Sequence, residues 1–197
     1  MTIISNLLSA ALYAMLFQNL IFTGGFGASE AVRMAAKPKQ LVPMSLFITY
    51  FSTVVSVICV WIDQIPEIRL SDKIIHSIIF SAVLIIVYFI TLFFIKVFFK
   101  VKDRTIRRLG ISAFNTLVLA VPFINYRAAF NITDAIGAGI GSGLAFVIAV
   151  LLINFGLRRL DKNESIPEAF KGTPAIFIYV AILSMAFTGI TGRGLTL

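Results

Sequence analysis

Cysteine is almost missing. Cys59 is the single one in 197 residues, so neither an internal disulfide nor a cysteine-only metal site can form within the chain. It lies inside an apolar run, where a thiol behaves as a small hydrophobe. Charge is scarce too, at 13% of residues, about half of what a soluble domain carries. No Asp or Glu falls well inside any apolar run; Asp63 and Asp134 stand at the ends of two of them. That speaks against a carboxylate relay for protons or sodium within this chain alone. A Ser/His/Asp set, an HExxH motif and a phosphate-binding P-loop are all lacking, so the chain reads as a non-catalytic membrane subunit rather than a self-contained enzyme. Lys and Arg are absent from Met1 to Asn6, ahead of the first apolar stretch. This argues against a cleaved signal peptide and for a first span that stays.

What is present is apolar. Hydrophobic residues make up 59% of the chain, with 19 Phe, and mean hydropathy is +0.98. The solvent implied is lipid. Continuous apolar runs without strand-type alternation exclude a barrel and predict helices. A hydrocarbon core of about 30 Å takes roughly 20 helical residues. The expected spans are Leu7–Gly27, Leu46–Ile62, Ile74–Phe99, Leu109–Ile124, Ala135–Leu157 and Thr173–Thr191. The fold class is all-α, a polytopic membrane protein.

The formal net charge of +8 could suggest nucleic acid, but the basic residues sit in short loops and form no groove-reading helix. Thirteen of the 17 Lys and Arg fall in connections one, three and five (Arg33 to Lys39, Lys96 to Arg108, Arg158 to Lys171). Arg69, Lys73, Arg127 and Arg193 make up the rest. The positive-inside rule then puts the odd connections in the cytoplasm and both termini outside, with the whole net charge on one face.

Three spans per half give the two halves opposite orientations, so residues 1–100 and 101–197 read as an inverted repeat in a single transmembrane domain. Corresponding spans one and four are the irregular ones. Span one ends in Gly24, Gly25 and Gly27; span four carries Asn115, Thr116 and Pro122. Interrupted helices at matching positions point to a site near the membrane midplane, since unwound backbone is tolerated only where it is buried or wet. The glycines could equally end a helix at the surface. Gln18, Asn19 and Asn115 are amides at membrane depth, which join helices more often than they bind substrate. Span five holds Gly137, Gly139, Gly141 and Gly143, two overlaid G-x-x-x-G pairs made for close helix packing, with the partner helix open. His76 at the outer end of span three reads as interfacial, and Lys96 can snorkel to the inner surface.

The run Pro167-Glu168-Ala169-Phe170-Lys171-Gly172, followed by Leu183-Ser184-Met185-Ala186-Phe187-Thr188-Gly189, resembles the RnfA/NqrE family of membrane subunits. Leu109-Gly110-Ile111, the Gln18-Asn19 pair with Gly27, the length and the span count agree with it. The resemblance implies an inverted six-helix subunit of an Rnf-type or sodium-translocating NADH:quinone reductase-type complex, coupling electron transfer to Na+ or H+ movement. Its implied partners are a homologous six-helix membrane subunit (RnfE/NqrD-like) and flavin- or Fe–S-bearing subunits, in a bacterial cytoplasmic membrane. It also implies a [2Fe–2S] cluster held by one cysteine in span one, one in span four and two from the partner. At those positions this chain has Ser29 and Thr116, and a neutral hydroxyl is a poor substitute for a thiolate. The alternative is the substrate-binding membrane component of a vitamin-type importer, also basic, short and six-spanned. On either view Gln18, Asn19, Gly24, Gly25, Gly27 and Ser29 are expected to converge with Asn115 and Thr116.

Overall fold

The computed structural model describes residues 2–69, 73–99 and 101–191. Arg193 of the charge count, Met1 and the repeat boundary at Lys100 lie outside the described residues.

The chain runs α1 (Thr2–Leu12), a wider π turn (Tyr13–Phe17), α2 (Leu20–Gly24), α3 (Ala28–Ala35), α4 (Leu41–Ile62) and α5 (Pro66–Arg69). It continues as α6 (Lys73–Phe99), α7 (Asp103–Ala113), α8 (Thr116–Arg127), α9 (Ile132–Leu160) and α10 (Thr173–Ile190). There is no strand among the described residues. Five stretches are long and apolar enough to cross a bilayer: Pro38–Ile62, Lys73–Phe99, Asp103–Arg127, Ile132–Leu160 and Thr173–Ile190. Ile3–Phe17 is a shorter apolar helix. Spans two, three, five and six are continuous, and each begins or ends within five residues of its expected bounds. Span one is interrupted, as expected of it: it breaks at Gln18–Asn19 and again at Gly25–Gly27.

The core is the α9 spine with α4, α1 and α3 against it. Its glycines explain the close approach. A Cβ on Gly137 or Gly141 would strike the backbone of Leu7 and Ala11 in α1, whereas one on Gly139 or Gly143 would strike Thr53 and Thr49 in α4. Residues two apart on a helix point about 200° from one another. One glycine stripe therefore seats two helices, both from this chain. Lower down, Gly156 makes room for the ring of Tyr179 in α10, whose hydroxyl donates to the Leu152 carbonyl at 3.1 Å. The Asn154 amide donates to the Ala35 carbonyl at 2.6 Å, closing the last turn of α3 against α9. Helices α6 and α10 are the least buried spans, with Phe89, Phe93, Phe94 and Phe98 exposed along α6, as lipid-facing walls are.

His76 is not the lone interfacial side chain that was expected. Its side chain is fully buried, with Nε2 3.4 Å from Asp63 Oδ1 and the imidazole 4.0 Å, centroid to centroid, from the ring of Tyr126. The α4–α6 connection folds Asp63 back over the start of α6, and the end of α8 covers the pair. A lone polar residue at the edge of an apolar run gives no hint of this.

Candidate functional site: two capped helix breaks

Both breaks are built on asparagine. In the first, the π turn ends with the Gln18 N–H donating to the Tyr13 carbonyl at 2.8 Å. Asn19 then turns extended (φ −63°, ψ 96°), and its Oδ1 accepts from the Ile21 N–H at 3.2 Å, capping α2. In the second, α7 ends at Ala113, Asn115 turns extended (φ −71°, ψ 132°), and its Oδ1 accepts from the Leu117 N–H at 2.9 Å, capping α8. A short carboxamide satisfies helix donors that the break would otherwise leave bare, which is why Asn is favoured here and an aliphatic residue is not. Both asparagines are buried. Asn19 also donates through Nδ2 to the Ala145 carbonyl of α9 at 3.4 Å, tying the first break to the spine. Asn115 Nδ2 has no hydrogen-bond partner among the described residues.

Two left-handed glycines reverse the chain after α2. Gly25 (φ +72°) ends α2, its N–H donating to the Ile21 carbonyl at 3.1 Å while the Phe26 N–H reaches the Leu20 carbonyl at 3.0 Å, a Schellman closure. Gly27 (φ +76°) starts α3, and its N–H donates to Thr116 Oγ1 at 2.8 Å. A Cβ on Gly27 would lie 2.8 Å from Asn115 Oδ1 and 3.1 Å from Leu117 Cβ. Only glycine fits both the angle and the space. In α3, Glu30 forms two hydrogen bonds to the Arg33 guanidinium, which raise its pKa further above the ordinary value.

The sequence candidates therefore divide. Gly27, Asn115 and Thr116 meet at one point, where the two broken spans cross. Ser29 lies exposed in the first turn of α3 and Thr116 is exposed at the start of α8; no hydrogen bond joins them among the described residues. Gly25 is exposed, and a Cβ added there would meet nothing within 4 Å. Gln18 and Gly24 stand elsewhere, in the wall of an open cavity of about 1200 Å³ between α1–α2 and the α8–α9 connection. Sequence reasoning missed Asn125, fully buried in α8 with both amide atoms unpartnered among the described residues. It also missed the His76–Asp63 pair.

The donor set at the crossing does not suit an iron–sulfur cluster. Ser29 and Thr116 offer neutral hydroxyls, and that of Thr116 already accepts from Gly27. The one thiol, Cys59, is fully buried within α4. Iron in such clusters is held by thiolates, with imidazole as the occasional replacement.

The Rnf-Nqr family profile (Rnf-Nqr subunit, membrane protein) matches residues 7–193. The chain is 28% identical over 181 residues to the A subunit of the ion-translocating oxidoreductase complex of Pasteurella multocida, covering 90% of this chain and 92% of that one. It is 36% identical to the A subunit of the proton-translocating ferredoxin:NAD(+) oxidoreductase complex of Clostridium ljungdahlii, over 41% of each chain. It is 31% identical to the A subunit of the Na(+)-translocating ferredoxin:NAD(+) oxidoreductase complex of Acetobacterium woodii, over 41% of this chain and 42% of that one.

Proposed function

We propose, from the premise that the chain belongs to the Rnf-Nqr family, that it is the integral membrane subunit of an Rnf-like complex in which electron transfer is coupled to Na+ or H+ movement. Three relatives named as A subunits of such complexes, one of them covering nearly the whole chain, support this reading over a vitamin-type importer. The coupling ion differs between two of those relatives by name, so both ions stay within the proposal.

The observation that carries the reading is the crossing of the two broken spans. Gly25, Ser29, Phe114 and Thr116 are all exposed there. Non-helical backbone at membrane depth is tolerated only when covered by protein or lining water. A second membrane subunit lying over this surface would satisfy that condition. A homologous six-helix subunit is the proposed partner, with flavin- or Fe–S-bearing subunits completing the electron path. The chain does not itself ligate the family's [2Fe–2S] cluster, and it contributes no catalytic group.

The matched asparagine caps at residues 19 and 115 support reading residues 1–100 and 101–197 as inverted halves. The loop charges support a bacterial cytoplasmic membrane with both termini outside. The test is to tag the chain, extract it in mild detergent and identify the co-purifying proteins by mass spectrometry. A homologous six-span subunit with flavin- or Fe–S-bearing partners is expected. Recovery with ATP-hydrolysing subunits would overturn the reading in favour of an importer.

A further inference from the structure

The polar face of α1 is exposed among the described residues, and Ser9 Oγ donates to the Ser5 carbonyl of the same helix at 2.7 Å. Leu7, Ala11 and Ala14 pack on the α9 glycines, while Ile3, Ile4, Leu8 and Leu12 are exposed and apolar. Between these two faces Asn6, Ser9 and Tyr13, at helical spacing, are exposed too. They line the cavity of about 1200 Å³ together with Gln18, Thr23 and Gly24, and Arg127 and Asp134 lie across it. A row of amide and hydroxyl groups on a helix at membrane depth is too costly to face acyl chains. The volume has room for tens of water molecules, and its polar wall would hold them.

We propose that this cavity is a water-filled vestibule that admits a small cation to the first helix break, an inference that rests on the ion-translocating reading. Its mouth lies at the ends of α8 and α9, where Arg127 and Asp134 together carry no net charge. Its floor is the break itself. There Gln18 offers a carboxamide oxygen and Thr23 a hydroxyl, which donates to the Asn19 carbonyl at 2.9 Å. No backbone N–H reaches the carbonyls of Phe22, Thr23 and Gly24 among the described residues. Freed carbonyls at the end of a helix segment carry partial negative charge, and the floor has no basic side chain to oppose it. Oxygen donors without a fixed positive charge suit a hard monovalent cation and repel anions.

The buried Cys59 leaves this chain a background suited to thiol labelling, carried out on the intact complex in sealed vesicles and read on this subunit after it is separated from its partners. Cysteines are placed at Ser9, Tyr13 and Thr23 in the vestibule, at Leu8 and Leu12 on the apolar face, and at Ala128 to mark the side on which the mouth opens. A membrane-impermeant methanethiosulfonate is expected to label Ser9→Cys, Tyr13→Cys and Thr23→Cys from the Ala128→Cys side, at least tenfold faster than Leu8→Cys and Leu12→Cys. Equal rates at vestibule and apolar positions would mean that protein or lipid fills the space, and the proposal fails. The ratio of cationic to anionic reagent rates, corrected for a free thiol, should rise roughly threefold or more from Ser9→Cys to Thr23→Cys. A flat or falling ratio removes the cation. Labelling reads water and charge without turnover, so it can fail while the co-purification result stands, and the reverse.

Discussion

The Gly27 N–H and the Thr116 hydroxyl, 89 residues apart in the chain, are joined by a 2.8 Å hydrogen bond that fastens the turn after α2 to the first residue of α8. It is the direct tie between the two broken spans. It stands at the place where the family resemblance calls for metal ligands.

Thr116→Val keeps the shape and deletes the acceptor. Hydrogen bonds between membrane helices average below about 1 kcal/mol, because alternative partners are at hand. The Gly27 amide is different, since its left-handed conformation and burial fix it in place and leave it bare once the hydroxyl goes. The cost should fall at about 1–3 kcal/mol. Thermal unfolding of the purified complex should show a midpoint lowered by several degrees for Thr116→Val and little changed for Thr116→Ser, which keeps the acceptor.

Three glycines form a graded series. Gly27→Ala meets both an unfavourable φ of +76° and a Cβ 2.8 Å from Asn115 Oδ1. Gly25→Ala meets the left-handed φ of +72° alone, with nothing within 4 Å, and Gly189→Ala meets neither. A left-handed alanine costs on the order of 1 kcal/mol, and displacing a helix cap adds roughly 1 more. Midpoints should therefore fall in the order Gly189→Ala, Gly25→Ala, Gly27→Ala, the last lowest. A Gly27→Ala protein no less stable than Gly25→Ala would mean that the crossing is looser than described.

What the sequence made legible follows from which residues act locally. Asn115, Thr116 and Pro122 together announced an irregular fourth span, whereas the capping role of Asn115 was not read, because a polar residue within an apolar run does not show where the helix stops. Gly24, Gly25 and Gly27 announced a turn. The π turn at Tyr13–Phe17 left no trace, since Tyr-Ala-Met-Leu-Phe is ordinary apolar helix by composition, and the extra residue is forced by packing on α9. His76 was misread because its surroundings come from residues 13 and 50 positions away, Asp63 and Tyr126. The division of the α9 glycines between α1 and α4 was implicit in their two-residue offset. Which helices they receive depends on tertiary packing that the spacing does not encode.

The glycine contacts make a rescue prediction. Gly143→Ala drives a methyl into the Thr49 side chain of α4, so it should destabilise, and Thr49→Ala, which removes Oγ1 but keeps the Cβ at 2.7 Å, should relieve it in part. Thr49 Oγ1 donates to the Ser45 carbonyl at 2.8 Å within its own helix, so its loss alone is cheap. Gly141→Ala instead meets the Ala11 backbone, which no side-chain change can move. In a double-mutant cycle the 143/49 pair should show coupling of about 0.5–3 kcal/mol, and Gly141→Ala with Thr49→Ala should be additive.

The His76–Asp63 pair is testable in the same way. Truncating His76 to Ala removes a ring tilted against that of Tyr126 and takes the facing imidazole away from the Asp63 carboxylate. Removing one member of a buried polar pair costs about 1–3 kcal/mol, more if charged. His76→Gln and Asp63→Asn each alter the contact while keeping much of the volume. The double variant should be less destabilised than the sum of the two, measured as unfolding midpoints. Strict additivity would show that Tyr126 and Phe80, rather than Asp63, hold the imidazole in place.

Iron content gives the sharpest division between the two uses of the crossing. Thr116 Oγ1 accepts from the Gly27 amide, so one of its two lone pairs is committed to a structural bond. Ser29, exposed and two residues beyond Gly27, then has no metal to hold. Ser29→Ala and Thr116→Val should leave the ratio of iron to protein in the purified complex unchanged, even where Thr116→Val lowers its melting midpoint. A loss of about two irons per complex in either variant, with flavin content constant, would show that the hydroxyls ligate a cluster after all. The stability effect and the iron effect are separable because Thr116→Ser restores the first through its acceptor, whereas Ser29→Ala leaves that bond untouched. Only a cluster at the crossing would make Ser29→Ala change the iron content while the midpoint of the protein stayed where it was.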